Sequence, residues 1–183
     1  PAGAQMTTAQ AAPAGPAVQA DTDWGQMPLY FTANQGQVDD TVAYYVSGKD
    51  KTLYFTSEGV TFALSGPAAT GAVQAEATSV ERWAVRLDYL GGHAVEPRGL
   101  NKTEAVISYF SGSPEEWQTG VPTYSSIRSA GVWSGIDVVY SGTQDQLKQE
   151  FVLEPGADPR QIRLAYRGAT VTLNDDGALL VST

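Results

Sequence analysis

The chain contains no cysteine, a single histidine, and 11 lysines and arginines against 20 aspartates and glutamates. Each shortage closes off a class of chemistry. Without thiols there is no disulfide framework, iron–sulfur cluster, thiolate zinc site or cysteine nucleophile. His93 is the sole imidazole, so a His-rich metal centre is excluded and no metal or cofactor is expected. A net charge of −9 argues against nucleic acid or an anionic membrane as partner, because both are met by clustered Lys and Arg. No apolar run reaches the roughly 18 residues of a bilayer-crossing helix, so membrane insertion is not expected. A charged and then apolar targeting segment is also missing from the start of the chain.

What is present suffices for one domain: 183 residues, 42% of them apolar, are enough to bury a single core. The composition changes at about residue 21. Residues 1–20, PAGAQMTTAQAAPAGPAVQA, hold no charge and no aromatic ring, and small side chains offer too little apolar area to offset the entropy of ordering them. They read as a leader of the kind that follows a removed signal peptide. Only Met6 and Val18 exceed alanine in apolar size, and these would be the contacts of an assembly arm docking on a neighbouring subunit. Residues 21–183 then form the folded domain.

Within it, short apolar stretches alternate with turn residues, the pattern of an antiparallel β protein. Strands are expected at 42–46, 52–56, 60–64, 82–90, 105–110, 136–140, 147–153, 162–166, 170–173 and 178–181. Arg82 to Leu90 also fits a helix face, but Trp83, Val85, Leu87 and Tyr89 fall on one side of a strand and Arg82, Ala84, Arg86 and Asp88 on the other. The clearest hairpin runs from Ile136 to Leu153, and a second turns at Asn174-Asp175-Asp176-Gly177. One helical turn is expected, with Ser113 as N-cap, Pro114 first and Glu115 and Glu116 following. About ten strands with very little helix predict an all-β, antiparallel two-sheet sandwich, with a closed barrel as the alternative.

No catalytic set converges in the sequence. Asp137, Glu150 and Glu154 lie in or beside the central hairpin, where a glycosidase would need two carboxylates facing one cleft. Asp137 and Glu150 alternate with core residues and point outward, toward partners such as Arg128, Arg163 or Lys148. There is no G-x-S-x-G elbow and no phosphate-binding loop, and His93 has no acid placed to orient it. Trp117, Tyr124 and Trp133 sit at or near expected loops, and exposed rings of this kind stack on sugars, although tryptophan and tyrosine more often pack. Trp83 belongs to the core by its alternation. Asn34, Gln35, Gly36 and Gln37 read as a polar turn whose amides satisfy nearby backbone groups, and Pro155, Gly156, Asp158 and Pro159 as a tight corner between strands.

The run from Val121 to Ala169, with V-P-T-Y, G-I-D-V-V-Y and P-G-A-D-P, together with N-Q-G-Q at Asn34 and the strand from Leu53, resembles the amino-terminal domain that precedes SBBP-type β-propeller repeats in secreted bacterial proteins. The likeness covers about Leu29 to Thr183. Ser108-Tyr109-Phe110 stands where that family usually shows Asn-Tyr-Phe, and the repeats themselves are absent from the chain. The resemblance implies an exported or cell-surface setting and a non-catalytic accessory role, and it carries over no catalytic residue. The expectation is therefore a structural or protein-interaction module that binds other subunits, copies of itself included, and assembles through its leader into a filament. A carbohydrate-binding module using Trp117, Tyr124 and Trp133 is the alternative, and a glycoside hydrolase using Asp137 and Glu150 the third.

Overall fold

The computed structural model describes residues 27–66, 81–144 and 146–183. The leader, including Met6 and Val18, lies outside the described residues, as does Trp24. Among the described residues twelve strands run in order: β1 (Phe31–Ala33), β2 (Val42–Ser47), β3 (Lys51–Thr56), β4 (Gly59–Ser65), β5 (Arg82–Tyr89), β6 (Arg98–Tyr109), β7 (Gln118–Trp133), β8 (Ile136–Thr143), β9 (Gln146–Leu153), β10 (Leu164–Arg167), β11 (Thr170–Leu173) and β12 (Leu179–Ser182). The strands at 82–90 and 136–153 fall where the alternation places them. Expected and unexpected helical turns are both single: Pro114–Glu116, where the Glu116 carboxylate accepts from Ser113 N at 2.8 Å, and Pro159–Gln161, capped by Asp158. The latter forms the corner read from Pro155 to Pro159.

All pairings among these strands are antiparallel. They do not form the two packed sheets of a sandwich: β11 and β12 pair apart as a small two-stranded sheet, and the other ten strands share one. One ten-stranded sheet runs β10-β5-β4-β3-β2-β1-β7-β8-β9, with β6 on the far edge of β7, and curls into a half-barrel. The branch is made by β1. It pairs with β7 at Tyr124 and Thr123, while just upstream Pro28 bridges to Thr143 of β8, so β1 wedges between β7 and β8 where they part. The barrel alternative is not met either, because β9 and β10 at the two ends of the path do not pair.

The curl closes on its own side chains. Phe31, Phe55, Val60, Ile127, Val132, Ile136 and Val138 are all nearly or wholly buried. Burying each stabilises the fold by about 1.5–3 kcal/mol relative to exposure. From opposite arms of the curl, the hydroxyls of Tyr89 on β5 and Tyr140 on β8 share a hydrogen bond of 2.8 Å. Trp133 at the end of β7 packs edge-on to Tyr89, with ring centroids 5.6 Å apart.

Candidate functional site

The alternation that sends Leu53, Phe55, Val60, Val85 and Leu87 inward leaves their neighbours on the convex face. Strand register then aligns those neighbours in a row. Tyr45 pairs with Tyr54, Tyr54 with Thr61, Thr61 with Arg86, and Arg86 with Arg167. Above Tyr54, Thr61 and Arg86 lies a groove of about 920 Å³. The 34–43 loop forms one wall, and Ser57, Glu58 and Glu96 contribute to the rest.

The loop wall is rigid for a reason legible in its residues. Asn34 Nδ2 donates to the carbonyls of Asp39 (2.9 Å) and Val42 (2.8 Å), while its Oδ1 accepts from Gly36 N at 3.0 Å. Gln118 Nε2 donates to Gln35 O at 2.9 Å. This is the polar turn the sequence predicts. The Thr41 hydroxyl and amide both donate to the Asp39 carboxylate, and these bonds hold its pKa below the usual carboxylate value.

Charge crosses the floor in a chain. Arg86 reaches Glu58 at 2.8 Å and Asp88 at 2.5 Å, and Asp88, only 8% exposed, is also met by Arg167. A second hollow of about 450 Å³ continues past Glu58 and Arg86 toward His93. Among the described residues, no three His, Asp or Glu side chains gather closely enough to hold a metal ion.

Asp137 and Glu150 do not wall a shared cleft. Asp137 pairs in register with Val152 and Glu150 with Val139, which makes them diagonal neighbours on one hairpin face. Asp137 is held by Arg128 and by Gly131 N, and Glu150 by Lys148 at 2.8 Å.

The three aromatic residues singled out for sugar stacking are not brought together. Trp133 is a correction: it is 3% exposed, its Nε1 donates to Leu90 O at 3.1 Å, and its faces meet Tyr89 and Phe151. A ring in the core offers no platform. Tyr124 is half-buried, edge-on to Tyr44, with Gly99 so close that an added Cβ would lie 2.5 Å from its ring. Trp117, at the far end of β7's approach, is exposed beside Phe110, their rings perpendicular at 5.2 Å. Alternation marks Tyr54, Thr61 and Arg86 as outward, but no signal in the sequence places them in one row, because register comes from turn geometry.

A family model described as a domain of unknown function (DUF7948) matches residues 31–183. The chain belongs to this family. No curated protein and no solved structure matches the DUF7948 chain. Its family match spans every strand of the half-barrel and both grooves.

Proposed function

We infer that this DUF7948 domain is a non-catalytic, exported interaction module that associates with copies of itself, and that β11 and β12 are the docking element. The observation carrying this is the state of that hairpin. Among the described residues its strands pair only with each other, and two strands alone are marginal in water. Val171 faces Val181 and Leu173 faces Leu179, so four apolar side chains share one face, with Leu173 69% and Leu179 56% exposed.

The edges differ in a telling way. Strand β9, an edge strand among the described residues, carries Lys148 and Glu150, the charges that discourage strand addition. Strand β12, Leu-Leu-Val-Ser, carries none. Two copies of β12 joined antiparallel about a two-fold axis would make a four-stranded sheet with one continuous apolar face. The exported setting rests on the resemblance of the Val121 to Ala169 run.

Sedimentation velocity across a concentration series tests the reading. The intact chain is expected to dimerise, and a Leu179→Lys/Val181→Lys variant to sediment as monomer. A monomeric wild type at millimolar concentration would sink the reading. A chain lacking residues 1–20 separates the hairpin from the leader: dimers that persist assign the contact to β12, whereas filaments or oligomers that vanish assign it to the arm.

A further inference from the structure

We propose that the convex groove over Tyr54, Thr61 and Arg86 binds an uncharged or amino-substituted carbohydrate chain. The inference is independent of the association through β12 and uses the ten-stranded sheet, not the β11–β12 hairpin.

Three properties of the groove select the ligand class. Side chains supply hydrogen-bonding groups to it: the hydroxyls of Tyr54 and Thr61, the carboxylate of Glu96 and the guanidinium of Arg86. Convergent groups of this sort match vicinal hydroxyls, while the Tyr54 ring supplies a surface for the C–H face of a sugar ring. The floor strands β2, β3, β4 and β5 are each paired on both edges, so no free backbone donors or acceptors are available to an extended peptide, which binds sheets by edge addition. Among the described residues the walls carry Asp39, Asp40, Glu58 and Glu96 against one cation, Arg86. That balance repels phosphates and uronic acids and admits neutral sugars or a protonated amino sugar.

The site also has the rigidity that weak polar contacts require. Asn34 fixes the loop wall through five bonds to backbone groups, and the Glu58 and Asp88 carboxylates hold Arg86 in place. Little conformational freedom is left to lose on binding.

The test is an array of cello-, manno-, chito- and glucosamine oligosaccharides with polygalacturonate as the acidic control, probed with the intact chain. A neutral or amino-substituted chain is expected to bind and polygalacturonate is not. Tyr54→Ala should weaken binding at least about tenfold, the equivalent of about 1.4 kcal/mol, with Trp117→Ala unchanged. Glu96→Gln should weaken glucosamine chains more than neutral ones. If near-UV circular dichroism shows Tyr54→Ala unfolded, amide shifts of the wild type decide: oligosaccharide-induced shifts at Thr61, Arg86 and Glu96 support the site. The proposal is overturned if no neutral or amino glycan binds, if polygalacturonate binds best, or if binding responds to Trp117→Ala and not to the groove.

Discussion

Tyr89 and Tyr140 join the two arms of the curl through a pair of phenols in an apolar interior. Burial disfavours the phenolate, pushing Tyr89 up to about 12 and Tyr140 higher still. In the unfolded chain both ionise near pH 10. The folded pKa values are raised, so the stability these neutral phenols carry is complete below about pH 10 and is lost as pH rises through 12. Each phenol kept neutral steepens the loss by about 1.4 kcal/mol per pH unit in that window. Urea titrations at pH 8, 10 and 11 should show this fall, and Tyr89→Phe should make the slope shallower by about one proton. An unchanged midpoint between pH 8 and 11 would contradict it.

The long strand β7 is the element on which the architecture turns. Over sixteen residues it pairs with β6 on one edge and with both β1 and β8 on the other. Small polar side chains at its centre make the crowding possible: Thr123, Ser126 and Ser129 are all buried. Thr123 Oγ1 bonds to Ala105 O at 2.6 Å and to the Thr103 hydroxyl, where the β6 register shifts between Lys102 and Val106. Thr123→Val keeps the shape and removes the donor, leaving Ala105 O with only the longer bond from the Thr103 hydroxyl at 3.4 Å. It should cost about 0.5–1.5 kcal/mol in urea unfolding, and Thr123→Ser should recover most of that. Equal stability for the Val and Thr forms would show that the hydroxyl does not anchor the β6 irregularity.

Across the whole molecule, the decisive pairings join residues distant in sequence. Strand β10 closes on β5 and β1 on β7, so loop closure must precede the contacts that stabilise it. Stopped-flow refolding should therefore fall in the millisecond-to-second range of all-β domains. Microsecond refolding would mean that local hairpins carry the stability. The half-barrel also explains why two faces remain for binding. Its concave side is filled by the core, so the convex face and the separate hairpin are what the molecule presents.

Strong period-2 segments were readable as strands because a buried face repeats every second residue. That reading located β2 to β5, β8, β9 and the β11–β12 hairpin, and the turn chemistry of Asn34, Ser113 and Asn174 was equally local. It missed β1, the first half of β6 and all of β7. β1 has only three residues, and Gly120, Pro122, Ser125, Ser126 and Ser129 read as loop by composition. Pro122 sits within β7 beside the shifted register of β6, where a strand tolerates a missing amide. That one family domain covers most of the chain was also legible, and the match to a domain of unknown function spans residues 31–183. By itself the sequence determined the all-β class, the inward side of each well-patterned strand and the outward charge of Asp137 and Glu150. Only the tertiary structure decided that ten of the strands form one curled sheet, that Trp133 is core, and that Tyr54, Thr61 and Arg86 share a groove. The physical reason is that side-chain alternation is local, whereas register, branching and curl follow from which distant edges meet.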